Sequence, residues 1–228
     1  MNRKISPVIR GSVDYKLELK PCEKFDLDNG IPVYAINAGA QDVLQIEMVF
    51  YAGTFFEQNK GIAAATNFLI KNGTGTRTAL QLNEAFEYYG AYCNRACYNE
   101  TAVLTLHTLT RHLEKLLPVM EDMLTDSIFP AQELEIYQQN SRQRLQVNLQ
   151  KCEFVAGRLI DSYLYGEKHP YGTFTNMADI DNLDVDSIKN FYKEHYQQGQ
   201  CVIFVAGNIP AGLEKLLNNH FGKLKLGK

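Results

Sequence analysis

No run of apolar residues in the 228-residue chain approaches the length of a membrane span. No basic excess marks it for nucleic acid: 23 lysines and arginines stand against 26 acidic residues, for a net charge of -3. The opening Met1-Asn2-Arg3-Lys4-Ile5-Ser6-Pro7 carries charge but lacks the apolar stretch of a secretory signal. Cysteine is sparse. Cys22, Cys93, Cys97, Cys152 and Cys201 are odd in number and scattered, which is not the pattern of a disulfide framework. Together these absences point to a reducing compartment and a cytoplasmic location, with the periplasm as the alternative. No segment is of low complexity, and no unit repeats with a period of roughly 20–50 residues.

What is present is a soluble globular composition, 45% hydrophobic, long enough for a sizeable core in one large domain or two small ones. Residues 1–22 suggest an extended N-terminal arm, because Ser6-Pro7 and Gly11-Ser12 interrupt any periodicity. The remainder, 23–228, is expected to be a single domain. It opens with Glu23 to Leu27, a turn Asp28-Asn29-Gly30, and Ile31 to Ile36, which is a strand, a tight turn and a strand. Pro32 places the second strand at a sheet edge, or else at its own beginning. Val43 to Ala52 is rich in β-formers and predicts a central strand.

Thr78 is placed to cap a helix whose apolar face is Leu82, Phe86 and Tyr89 and which ends at Gly90. Residues 91–98 and 101–107 predict a second antiparallel pair. Helices are expected over 111–125, kinked or begun by Pro118, from Phe129-Pro130 to about Lys151, over 154–165, from Val185 to Tyr196 behind the cap Asp184, and over 210–221. Cys201 to Ala206 predicts a buried strand. Cys93 and Cys97 fall on one face of their strand, where two buried thiols are the simpler reading and a metal pair the sharper one.

The stretch Gly61 to Thr74 predicts a short, mostly apolar helix with Ile62, Ala65 and Leu69 in its stripe and Lys71 and Gly73 as stop signals. Glu57, Gly61, Ala63, Gly73 and Thr74 also keep the frame G-x-A-H-x-x-E-H-x-x-x-x-G-T, so the chain resembles the insulinase and pitrilysin family of zinc peptidases, which includes the mitochondrial processing peptidases. In that motif two histidines on one helical face hold zinc and the glutamate between them is the general base. Here Ala64, Asn67 and Phe68 stand in those places. The family's third ligand is a glutamate roughly seventy residues further on. The matching segment, Gln138 to Asn148, has no acidic residue between Glu135 and Glu153.

The resemblance runs from about Phe25 to Phe221, through Gly90-Ala91, Asn94, Tyr98, Glu100-Thr101 and His169-Pro170-Tyr171-Gly172. It implies an α+β fold, a mostly antiparallel sheet with helices packed on one face, and only one of the two halves that close on each other in family members. It implies a non-catalytic subunit with no metal and no cofactor. Its partner would be an active insulinase-like peptidase subunit or a second homologous half, and neither nucleic acid nor a membrane is implied as a partner. The strand with Asn94, Ala96, Cys97 and Tyr98 would lie at the sheet edge and pair with unfolded peptides by strand addition, the alternative being an edge paired with another subunit. Two other roles stay open. One is a purely structural subunit. The other is a peptidase with a relocated site, for which His107, His112, Cys93 and Cys97 are the residues available.

Overall fold

The hairpin forms where the Asn-Gly turn placed it. In the computed structural model, which describes residues 18–227, β1 (Glu23–Asp26) and β2 (Pro32–Asn37) are antiparallel, with Phe25 opposite Val33. The Asn29 amide donates to the carbonyls of Phe221 and Leu224, both at 2.9 Å, and so ties the turn to the far end of the chain. Pro32 is the first residue of β2, which lies inside the sheet. The missing N–H therefore falls where the ladder begins. Of the arm expected over 1–22, residues 1–17 lie outside the described residues, and Glu18 to Cys22 are exposed and without regular structure.

The remaining strands are β3 (Val43–Phe50), β4 (Tyr92–Cys97), β5 (Ala102–Leu109) and β6 (Cys201–Gly207). The sheet order is β1-β2-β6-β3-β5-β4, and β2 with β6 is its parallel pair. Strand β3 is interior, as its β-rich sequence predicts, and its residues alternate strictly. Leu44, Ile46, Met48 and Phe50 are buried. They share a face with Val33, Leu104, Leu106, Ile203 and Val205, which sit across from them in register. The other face leaves Tyr34 stacked on Phe204 and Gln45 bonded to Glu47, all partly exposed.

The helices supply the apolar partner for the buried face. They are α1 (Ile62–Leu69), α2 (Ala79–Glu87), α3 (Leu113–Thr125), α4 (Ala131–Asn148), α5 (Cys152–Tyr165), α6 (Met177–Asp181), α7 (Val185–Tyr192) and α8 (Leu213–Phe221). The architecture is α+β with a mostly antiparallel sheet. Thr78 closes a full capping box with Gln81 at the start of α2. Asp184 caps α7 by accepting from the Ser187 N–H at 2.8 Å.

Several boundaries differ from the sequence-based expectation. Pro118 lies inside α3, which starts after a 3-10 turn at Thr110–His112. The α7 geometry stops at Tyr192 and continues as a π-helical turn, Lys193–Gln197, within which Tyr196 is fully buried. Helix α8 begins at Leu213, behind a left-handed Gly212 at φ 79°. The short α6, with its Asn176/Asp179 capping box, had no counterpart among the expected elements, being too short to show a period.

Helix α1 lies against β4, β5, α4 and α7. Its buried residues are Ile62, Ala63, Ala65, Thr66, Asn67 and Leu69. The small side chains at 63 and 65 let the helix approach its neighbours closely. Gly61 precedes it at φ 87°, and a Cβ there would stand 3.1 Å from Cγ2 of Thr175. Leu69→Ala is expected to cost about 2–5 kcal/mol of unfolding free energy. Gly61→Ala is expected to cost about 1–2 kcal/mol. Chemical denaturation at constant m-value checks both.

Candidate functional site

The motif positions on α1 face three different surroundings. Ala64 is half-buried, Asn67 is 2% exposed, and Phe68 is 39% exposed. The Asn67 amide donates to the Tyr196 hydroxyl at 3.2 Å and to the Val103 carbonyl at 3.5 Å. It therefore joins α1 to the π-helical turn on one side and to β5 on the other. Burial pushes the Tyr196 phenol far up, so it stays protonated and able to take part in that bond.

Phe68, at the place of the motif's second histidine, is bulky and apolar. The structure places its ring 5.2 Å from the Tyr137 ring of α4, with the Arg95 guanidinium 4.5 Å above it. Arg95 also donates to the Phe68 carbonyl and, at 3.0 Å, to Asn72 Oδ1. A cation thus covers the C-terminal end of α1, where the helix presents unsatisfied carbonyls. The sequence carried a signal for Arg95: strand alternation puts it on the face shared by Cys93 and Cys97.

Glu57 gives the opposite end of α1 its partner. Its Oε2 accepts from the N–H of Gly61 at 3.0 Å and of Ala63 at 3.3 Å, a carboxylate on a helix N-terminus. Burial still dominates and holds its pKa at about 6, above the usual 4.5, while the two backbone bonds pull it down. In sequence it was only a register mark of the motif.

A crevice of about 600 Å³ opens beside Gly61 and Ala64, between α1, α4 and α5. From α4 its wall takes Tyr137, Ser141, Arg144, Leu145 and Asn148. None of these is an imidazole, thiolate or carboxylate, the donors zinc prefers, and the two carboxylates that α5 adds to the lining, Glu153 and Asp161, come with no histidine or cysteine beside them. Ala64 has no lone pair, the Asn67 amide is committed to Tyr196 and Val103, and Phe68 is apolar. These side chains do not fit a zinc ion.

The residues available for a relocated site are dispersed into separate contacts. His107 stacks on Tyr92 at 4.5 Å, and His112 stands 5.1 Å from Tyr89. Cys93 is buried against Met120, its sulfur 3.8 Å from the thioether, and burial pushes its thiol up to about 11. Cys97 is pushed up to about 12 by the same cause, so neither thiol offers a thiolate near neutral pH. Among the described residues no group of three or more His, Cys, Asp or Glu is placed to hold a metal ion.

Strand β4 is the outermost strand beside β5. Tyr98 N–H donates to Thr101 O at 2.7 Å, which sets the pairing phase down the hairpin. In that phase Tyr92, Asn94 and Ala96 bond to β5, and Cys93, Arg95 and Cys97 turn their N–H and C=O groups outward. Of the candidate residues on this strand, Cys97 thus has its backbone on the open edge and its side chain on the helix face. Asn94 and Ala96 project from the other face. Tyr98 lies past the strand, where its carbonyl accepts from Thr54 N–H at 3.1 Å.

Comparisons with known proteins bear on the fold and the family. The family model described as Insulinase (Peptidase family M16) matches residues 33–170, and that of the peptidase M16 inactive domain matches 182–228. A probable mitochondrial-processing peptidase subunit beta of Schizosaccharomyces pombe is 25% identical over 215 residues, 91% of this chain and 46% of its own length. An uncharacterized zinc protease of Rickettsia felis is 25% identical over 187 residues, 80% of this chain and 45% of its own. The crystal structure of a peptidase M16 inactive domain from Pseudomonas fluorescens superposes with a TM-score of 0.83 at 21% identity, covering 91% of this chain and 52% of that one. A protease from Helicobacter pylori gives a TM-score of 0.80 at 19% identity, covering 92% and 52%. The chain spans about half the length of the curated relatives it matches.

Two outcomes test this local chemistry. Asn67→Ala is expected to cost about 1–3 kcal/mol by stranding the buried Tyr196 hydroxyl, read from denaturation midpoints. For Glu57 the folded chain holds the proton to a higher pH than the unfolded one, so between pH 4.5 and about 6 its contribution to stability falls as pH rises. The stability difference between the natural chain and Glu57→Gln should therefore shift against the natural chain by on the order of 1–2 kcal/mol across that window, and be flat above it.

Proposed function

The chain belongs to the insulinase family, peptidase family M16, and from that membership and the side chains of α1 we propose that it is a non-catalytic, peptidase-like subunit. It pairs with a metal-bearing partner of the same family, either a separate active subunit or a second homologous half, and supplies a strand edge for peptide. The observation that carries this reading is the set Ala64, Asn67 and Phe68, one without a donor, one engaged in the core and one apolar. Zinc in such a site needs imidazole and carboxylate donors with an open position for water. A general base needs a group that titrates near the working pH, and an amide does not. The Arg95 guanidinium laid on Phe68 adds a positive charge beside α1, which opposes a divalent cation.

The outward N–H and C=O groups of Cys93, Arg95 and Cys97 support the second part of the reading. An extended segment can satisfy them with ladder bonds that do not depend on its sequence, which suits a subunit that handles unfolded peptides. The proposed location is the cytoplasm, with the periplasm as the alternative, and the five free cysteines support it.

The purified chain is expected to hold no stoichiometric zinc after dialysis against a weak chelator and to hydrolyse no unfolded peptide alone. Added to a family member with the intact motif, it should raise that partner's turnover or its affinity for peptide. Unchanged turnover and binding would sink the proposal. For the edge, Cys97→Pro removes an outward N–H and leaves the β5 ladder in place. It should weaken binding of a labelled extended peptide by up to about tenfold in fluorescence polarisation, and an unchanged affinity would remove β4 from the binding surface.

A further inference from the structure

A recess of about 490 Å³ adjoins the crevice beside Ala64, and the two share Tyr137, Ser141, Arg144 and Asn148 of α4. The sharing has a local cause. Positions 137, 141, 144 and 148 follow at intervals of four, three and four, so they lie along one face of the helix. Lys151 continues the row in the turn that follows, where its N–H donates to Asn148 O at 3.0 Å. Phe68 lines the recess from α1. This face of α4 therefore borders positions 64 and 68 together.

The row is made of donors. Lys151 Nζ donates to Asn148 Oδ1 at 2.9 Å, which occupies the acceptor of that amide and leaves its NH2 group to donate. Burial pushes the Tyr137 phenol up, so its hydroxyl keeps its proton. Arg144 enters no ion pair among the described residues, whereas Arg142, on another side of the helix, pairs with Asp181. Among the described residues no carboxylate lines the recess. A divalent cation is repelled by Arg144 and Lys151. A neutral apolar ligand would desolvate the Arg144 guanidinium without giving it an acceptor. A carboxylate gives the guanidinium a bidentate partner. The rings of Phe68 and Tyr137, 5.2 Å apart, and Val147 offer apolar contact to the group that carries it. A doubly charged phosphate is less suited, because Glu153 and Asp161 line the adjoining crevice with Arg144 and oppose extra negative charge.

We propose that the recess at Arg144 is a carboxylate site, which takes a singly charged carboxylate on an apolar stem. An anion thus takes the place beside positions 64 and 68 that a zinc-binding helix gives to a dication. The carboxylate can belong to a free organic acid or to the C-terminus of a peptide, and both present the same chemistry. The site involves no residue of β4, so it stands apart from the peptide edge. It shares with the functional reading above only the premise that no metal sits beside α1, and the test separates the two.

3-Phenylpropionate and its neutral amide would be titrated into the full chain, with and without prior chelation, following the ring resonances of Phe68 and Tyr137 by NMR. The acid should shift both signals saturably and bind at least about fivefold more tightly than the amide. Arg144 is exposed on its helix, so Arg144→Gln should leave the spectrum dispersed. It should lose about fivefold or more for the acid and little for the amide. Equal binding of acid and amide, no saturable shift, or tighter binding of 3-phenylpropyl phosphate than of the acid overturns the site. Acid binding that is lost on chelation and indifferent to Arg144→Gln overturns the site and the metal-free reading together. Binding that survives chelation and is lost in Arg144→Gln upholds the site, whatever the chain does to a partner's turnover. A pentapeptide ending in phenylalanine, with a free or an amidated C-terminus, identifies the source. Preference for the free C-terminus supports the site with peptide as ligand, and binding of the small acid without either peptide supports it with an organic acid.

Discussion

The burial of α1 through small side chains sets the spacing of everything around it. Ala63 and Ala65 are 0% exposed, and they let the helix lie close to its neighbours. A larger side chain there would have to be absorbed by a packed interior with little slack for extra methylenes. Both ends of the helix are then completed from outside it, Glu57 at the N–H end and Arg95 at the carbonyl end. The charges sit in the sense the helix dipole favours. Such a helix is well supported as a scaffold whether or not its exposed face carries chemistry.

That separation explains how a peptidase frame can persist with these side chains at the motif positions. Asn67 occupies the place of a base but points its amide into the core, where Tyr196 and Val103 take it. The residue has become part of what holds α1 to the π-helical turn and to β5. Phe68 has likewise become a packing group between Tyr137 and Arg95. The crevice beside Ala64 remains open, so these substitutions have not simply closed the space between α1 and α4. Of the three motif positions, Ala64 lines it.

Much of this was legible from residue order. The Asp-Asn-Gly turn, the alternation in β3, the Thr78 cap and the Gly61-to-Thr74 frame each depend on neighbours a few residues away, and each was found by a local pattern. The misjudged boundaries share a different cause. Pro118 is accommodated within α3, and the helix after Asp184 widens into a π turn before Tyr196. Both outcomes depend on what packs against the helix and not on its own sequence.

By itself the sequence determined the family frame, most of the element types and the side chains at positions 64, 67 and 68, none of them an imidazole or carboxylate, because that chemistry belongs to a side chain wherever it lies. Only the tertiary structure decided which groups those side chains meet. It paired Asn67 with Tyr196 across 129 positions and set Arg95 on Phe68 across 27. It also turned the backbone of Cys93, Arg95 and Cys97 to the open edge, and gathered Glu100, Asp161, Tyr165 and Tyr171 around one cavity. The reason is physical: contacts between residues distant in the chain follow from how helices pack on a sheet, and no local period encodes that packing.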